Sequence, residues 1–296
     1  MRLRSLALIA ALLLAACGRV PAQTGPAVFV GSYDLTIAQE WFGGFSGFDT
    51  PDGRTFAMIS DRGFLVTGSL LRLGERIIGI GDRVIRTFEP PEGGWPMIGG
   101  EKIAVDTEGL VLDGGDLFVS FEVIHEVWRY SLTGGTPVRL PSHPDFAALR
   151  YNGSFEALAM DGNGDLVVLP ERPERWGRGF HLWRWDGSAW RRDGRLPDRD
   201  RYRAVGADFG PDGRLYLLER RLGLWGFASR IRSFAYEDGG WTDEGLVLES
   251  EAGRHGNLEG LAVWRDAGGR LRLTMTTDNN FKWFQRNELV EYAVPE

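Results

Sequence analysis

The stretch "FEALAMDGNGDLVVLPER", residues 155–172, decides the fold. It divides at Asp161-Gly162-Asn163-Gly164 into two apolar arms, and residues of this kind accept the positive φ of a tight hairpin turn. The second arm, 166–170, is almost continuously apolar, so both faces of the hairpin must be covered. Four further copies read "FSGFDTPDG" (45–53), "TEGLVLDGGD" (107–116), "GADFGPDG" (206–213) and "LEGLAVWRDAGG" (258–269). Their second strands follow at 54–60, 117–121, 214–218 and 270–276. Successive copies begin 48 to 62 residues apart, a period that marks a propeller or a solenoid.

After each hairpin come more polar, better alternating stretches, such as "RGFHLWRWDG" (178–187) with "SAWRRDGRL" (188–196), which read as outer strands with Trp filling the space between blades. The count predicts complete blades at 45–89, 107–140, 155–196 and 205–249. A fifth blade has strands near 258–263, 270–276 and 287–293, and the lone strand 27–35 would complete it and close the ring. The predicted fold is an all-β propeller of about five four-stranded blades. Six blades is the alternative, should 64–107 contain another.

The strands end in charge. In an antiparallel hairpin, residues equidistant from the turn are neighbours across the ladder. Glu156 and Glu171 therefore share the end remote from the turn, as do Glu108 and Glu122, Ser46 and Asp61, and Glu259 and Asp278. In the fourth copy, Ala207 is read into the first slot, with Asp208 beside it, and Glu219 into the second. Up to eight carboxylates converge on one mouth of the channel: Asp61, Glu108, Glu122, Glu156, Glu171, Glu219, Glu259 and Asp278. Like charges brought together and partly buried destabilise one another, so a cation must be present. One candidate is Ca²⁺, which takes six to eight oxygens in flexible geometry, with Asn279 and Asn280 offering amide oxygens beside the carboxylates. The other is the chain's own Arg62, Arg172, Arg220 and Arg221. Arg62, Arg172 and Arg220, with Lys102 and Lys282, are also the candidates for holding substrate oxygens. A plainer reading is that strand ends reach solvent, where charges belong.

The chain has 296 residues, 43% hydrophobic and 25% charged, with 41 Gly and 11 Trp, which suits many short strands joined by tight turns. Residues 1–17 read as an export signal: Arg2 and Arg4, an apolar run Leu6–Leu14 too short to span a bilayer, then Leu14-Ala15-Ala16-Cys17. The last four resemble the lipobox of bacterial lipoproteins, which would make Cys17 the lipidated first mature residue, 18–27 a tether and 28–296 a single domain. Cys17 is the single cysteine, so disulfides and thiol catalysis are excluded. Without Arg2 and Arg4 the formal charge of −7 becomes −7 − 2 = −9. Such an acidic chain with no basic stripe argues against nucleic acid as a partner. The expectation is a monomer facing the periplasm and touching the membrane through its lipid alone.

Other motifs fail on spacing. His125, His143, His181 and His255 form no zinc pattern, and "GGFSGF" (43–48) misses the serine-hydrolase elbow by one position. "DGNGD" (161–165) lacks the sixth-position glycine and closing glutamate of an EF-hand loop.

In order along the chain, "GGFSGFDTPDGRTFAMISDRG", "FEALAMDGNGDLVVLPER", "GADFGPDGRLYLLERRL" followed by "SRIRSFAY", and "LEGLAV" with "TTDNNF" resemble the bacterial phytase-like domain called esterase-like activity of phytase. The resemblance spans about 28–293 and implies a β-propeller. By analogy with calcium-dependent propeller phytases, it also implies ester or phosphoester hydrolysis. The absence of a dense lysine-rich cleft favours a small phosphoester over phytate. A non-catalytic binding propeller of the envelope and a lactonase-like calcium hydrolase are the alternatives.

Overall fold

The computed structural model describes residues 23–35, 42–98, 101–102 and 106–295, with the backbone alone at 97–98 and 101–102. The segments 1–17, with Cys17, and 18–22 lie outside the described residues. The chain is already engaged with the fold at Thr24, whose N–H donates to Glu249 O at 2.9 Å, ahead of the first strand β1 (Val28–Asp34).

Five four-stranded antiparallel sheets follow the predicted blades. Blade 1 is β2 (Phe45–Asp49), β3 (Thr55–Ser60), β4 (Phe64–Leu73) and β5 (Arg76–Thr87). A two-stranded ribbon, β6 (Met97–Ile98) and β7 (Glu101–Lys102), occupies the long interval before blade 2, and no sixth blade occurs among the described residues. Blade 2 is β8 (Thr107–Asp113), β9 (Asp116–Phe121), β10 (Glu126–Ser131) and β11 (Val138–Arg139). Blade 3 is β12 (Ala157–Met160), β13 (Leu166–Leu169), β14 (Phe180–Trp185) and β15 (Trp190–Leu196). Blade 4 is β16 (Arg203–Phe209), β17 (Leu215–Gly223), β18 (Gly226–Glu237) and β19 (Gly240–Glu249). Blade 5 is β20 (Asn257–Arg265), β21 (Leu271–Asp278) and β22 (Glu288–Val294), completed by β1 from the other end of the chain. Pairing of β1 with β22 closes the ring, and the Arg72–Glu291 ion pair at 2.9 Å ties blade 5 to blade 1.

The inner strands carry β-bulges at one recurring place. The register slips between Phe45 and Gly47, Thr107 and Leu110, Ala204 and Gly206, and Leu258 and Leu261. A bulge inserts one residue and re-aims its side chain. The inserted positions carry Ser46, Glu108, Val205 and Glu259, with Glu156 equivalent in blade 3. The first slot of blade 4 is thus Val205, not the Ala207 that ungapped counting assigns.

Small residues follow each bulge because neighbouring blades meet there at the axis. A Cβ on Gly206 would lie 2.3 Å from the Glu259 carbonyl oxygen, and one on Gly260 would lie 2.5 Å from Phe48 N. The axial cavity that remains among the described residues is about 10 Å³, room for a single water, so the axis is tightly packed below the cup formed at the strand ends. Gly206→Ala is expected to cost about 3 kcal/mol, because the obstruction is backbone and cannot rotate away. Thermal unfolding checks this; a variant as stable as the parent contradicts the tightly packed axis.

Candidate functional site

The ladder register sets out the cup floor. Asp61 N donates to Gly44 O, Glu122 N to Asp106 O and Glu171 N to Gly153 O, while Arg220 pairs with Arg203 and Asp278 with Asn257. Second strands therefore present Asp61, Glu122, Glu171, Arg220 and Asp278 at equivalent positions. First strands add Asp106, Arg203 and Asn257, and the bulges add Glu108, Glu156 and Glu259. Blade 4 puts Arg220 where the other blades put acids, and Arg203 where they put Gly44, Asp106, Gly153 and Asn257.

Glu219, assigned to the cup from sequence, is not there. Alternate residues of a strand face opposite ways. Glu219 precedes the cup-facing Arg220, is fully buried, and accepts from Arg230 Nε at 3.0 Å and from both Arg232 Nε and Nη2 at 2.7 Å. It serves the packing of blade 4.

Arg220 divides the cup electrostatically. Its guanidinium donates to Glu259 Oε1 and Asn257 Oδ1 and lies 3.5 Å from Glu171 Oε1. Glu171 also accepts from Arg203 Nη1 at 2.9 Å and from Arg172 Nε at 2.8 Å. Burial pushes the Glu171 carboxyl up, but these three arginines prevail and hold it below its ordinary value.

The other side has less relief: Arg220 acts on Glu108 through space, but no ion pair reaches it. Asp106, Glu108 and Glu122 each bring a carboxylate oxygen within 4.8 Å of the others. None of the three forms an ion pair with a described residue. Burial and Asp106 push Glu122 up to about 7, against a hydrogen bond from Gly153 N. Burial, then Glu156, Glu259, Asp106 and Glu122, drive Glu108 well above its ordinary value. Burial, with Asp278 and Asp106, takes Asp61 to about 7, and burial takes Glu259 to about 8 despite Arg220.

Carboxyls whose folded-state pKa is raised bind protons more tightly in the folded chain than in the unfolded one. Stability therefore falls as pH rises from the unfolded values toward 7 or 8, by about 1.4 kcal/mol per pH unit for each proton difference. The metal-free protein should melt several degrees lower at about pH 8 than at about pH 5.5. A melting temperature rising across that interval in EDTA contradicts this reading.

The donor set fits a hard dication. Calcium–oxygen distances of about 2.3–2.6 Å place two ligands of one ion up to about 5 Å apart. The 4.8 Å spread of the Asp106, Glu108 and Glu122 oxygens lies within that limit. Asn279, predicted as a further ligand, is used otherwise: its Oδ1 accepts from Gly44 N and from Phe281 N, both at 3.1 Å, fastening the β21–β22 loop to blade 1. Asp278 Oδ1 accepts from Asn280 N at 2.6 Å.

Beside the arginine half opens a pocket of about 390 Å³, lined by Arg201, Arg203, Arg220, Arg221, Asn257 and Asn280 together with apolar groups. Of the predicted substrate-binding residues, only Arg220 lines it. Arg172 lines a separate pocket of about 250 Å³ next to blade 3. Arg62 lies 3.4 Å over the Phe281 ring, Lys282 is exposed on the same loop, and the Lys102 side chain lies outside the described residues. Sequence reasoning missed Asp106, Asn257 and Arg203. Extending the repeat two residues upstream of each first slot would have found the first two.

Comparison with known proteins places these observations. No curated protein matches the sequence. Among solved structures, an aldose sugar dehydrogenase from Streptomyces coelicolor with bound PQQ aligns at 12% identity and TM-score 0.46, covering 93% of this chain and 100% of that one. A gluconolactonase from Xanthomonas campestris aligns at 17% identity and TM-score 0.45, covering 92% and 89%. Regucalcin, a calcium-binding protein from Agrobacterium tumefaciens, aligns at 8% identity and TM-score 0.43, covering 90% and 96%. Likeness at this level transfers no activity. The model of the phytase-like family, esterase-like activity of phytase, matches residues 40–281, most of the chain and all five inner hairpins, and the chain belongs to that family.

Proposed function

We propose that this protein is a calcium-assisted hydrolase of small phosphoesters, held at the cell envelope by a lipid on Cys17 and facing the periplasm. The observation that carries the reading is the divided cup. A carboxylate cluster that forms no ion pair with a described residue, Asp106, Glu108 and Glu122, shares one mouth with an arginine-lined pocket.

Asp106, Glu108 and Glu122 would hold the ion. When bound, Ca²⁺ would withdraw charge from a phosphoryl oxygen and favour ionisation of a nearby water. The chain's own part is binding and orientation. Arg201, Arg203 and Arg221 would take the non-bridging oxygens of the ester, with guanidinium forks suited to phosphate geometry. Arg220, fixed by Glu259 and Asn257, keeps the acidic wall from repelling that anion. Asp61, with its carboxyl near 7, can hold or release a proton at neutral pH. The tightly packed axis keeps bulk water from reaching the floor of the cup from below.

The test is turnover of a small aryl phosphate with Ca²⁺ and with EDTA, by the parent and by Glu108→Gln. Activity that requires Ca²⁺ and is lost in the variant supports the reading. Preferential turnover of lactones would move it to the lactonase-like alternative. Inactivity on both classes would leave a binding propeller.

A further inference from the structure

The arginine pocket has a second character that polyol phosphates would not use. Its wall includes Leu222 and Phe227. Leu222, near the end of β17, is followed by the β17–β18 turn with Leu224 and Trp225, the latter 80% exposed. On the opposite lip, Asn280 leads into Trp283, 95% exposed, and Phe284. Large apolar side chains this exposed, on the two turns that adjoin the pocket-lining Leu222 and Asn280, mark a recognition surface.

The charges point the same way. About half of the described arginines form ion pairs with carboxylates, as Arg203 does with Glu171 and Arg220 with Glu259. Arg201 makes no ion pair or hydrogen bond with a described residue. Arg221 has only a carbonyl contact, to Asp200 O at 3.4 Å, and the Tyr202 ring at 4.8 Å. The backbone that presents Arg201 is itself unusual, with Asp200 and Arg201 successively left-handed at φ 54° and 58°. On the facing lip Asn280 and Phe281 repeat this at φ 48° and 51°. Consecutive left-handed residues outside glycine cost free energy and persist where the surroundings fix them, often at ligand clamps.

Building on the phosphoester reading, we infer that the pocket binds a small organophosphate whose ester group is apolar, with Arg201 and Arg221 on the phosphate and Leu222 and Phe227, beside Trp225 of the adjoining turn, on the organic part. A polyphosphorylated polyol would leave the apolar lips unused and bring more negative charge to the acidic wall than two unmatched guanidiniums can offset.

The experiment is calorimetric titration of the purified protein in EDTA with methylphosphonate and with phenylphosphonate, which are not hydrolysed. Phenylphosphonate should bind at least about tenfold more tightly. Trp225→Ser combined with Leu222→Ser should remove that difference and leave methylphosphonate binding in place. Arg201→Gln combined with Arg221→Gln should remove both. All four side chains are on the surface, and unchanged melting temperatures would show that the variants fold. Equal affinity for the two phosphonates, binding of neither, or adsorption to phosphatidylglycerol vesicles without phenylphosphonate binding would each overturn the inference. Because EDTA removes the metal, phosphonate binding without calcium-dependent turnover would sink the hydrolase reading alone.

Discussion

Arg220→Met is expected to lower the melting temperature by roughly 10 °C at about pH 8, and by much less at about pH 5.5. The guanidinium is the cation shared by Glu259 and Glu171, and Asn257 Oδ1 also accepts from it. Removing one partner of a buried ion pair typically costs about 3–5 kcal/mol, because the other charge stays buried and uncompensated. At low pH the cup carboxyls bind protons instead, since burial has already raised Glu259 to about 8 and Asp61 to about 7. Protons then do what the arginine did, and the penalty shrinks. A variant equally destabilised at both pH values would show that Arg220 matters for packing and not for charge. Arg220→Lys should restore only part of the loss, since a single ammonium cannot reproduce the fork that reaches Asn257 and Glu259 together.

Glu108→Gln should have effects of opposite sign on stability and activity. In EDTA at about pH 8 the variant should melt higher than the parent, because a neutral amide relieves the burial and like-charge repulsion that hold Glu108 well above its ordinary value. The same change removes one of the three carboxylates that fit Ca²⁺. Calcium should therefore no longer raise the melting temperature, and calcium-dependent turnover should fall at least about 100-fold. Glu219→Gln supplies the contrast. That carboxylate neutralises Arg230 and Arg232 inside blade 4, so its loss should destabilise the protein while leaving the calcium response intact. If Glu108→Gln were destabilising in EDTA, the carboxylate cluster would be satisfied by something other than a dissociable cation.

The hairpin repeat was legible because its signals are local. Asp-Gly and Gly-Gly turns and apolar second strands recur at a fixed interval, and they locate all five blades and the closing strand. The cup was legible only in outline. Glu108, Glu156, Glu259, Glu122, Glu171, Asp61 and Asp278 share one mouth because distance from the turn fixes which end of a hairpin a residue occupies. Which face a residue takes depends on register, and each bulge changes it by one. That is why ungapped counting put Ala207 and Glu219 in slots that Val205 and Arg220 hold. The run "LLERR" also imitates "LPER", which hid a one-residue offset. The exchange of acid for arginine in blade 4, which divides the cup, is visible only after that correction. Asn279 misled for another reason: an amide oxygen near carboxylates is equally suited to backbone N–H groups, and here Gly44 and Phe281 take it.

On the proposed reading the Asp106, Glu108 and Glu122 side of the cup holds a dissociable cation, while Arg203 and Arg220 serve chiefly the Glu171 and Glu259 side. The most direct measurement is calorimetric titration of EDTA-treated, dialysed protein with Ca²⁺, in two buffers of different ionisation enthalpy at about pH 7.5. The account predicts saturable binding, release of protons from carboxyls held partly protonated by burial, and a raised melting temperature on saturation. No heat of binding and an unchanged melting temperature up to about 10 mM Ca²⁺ would contradict it, and would mean that protons and arginines alone balance the cup.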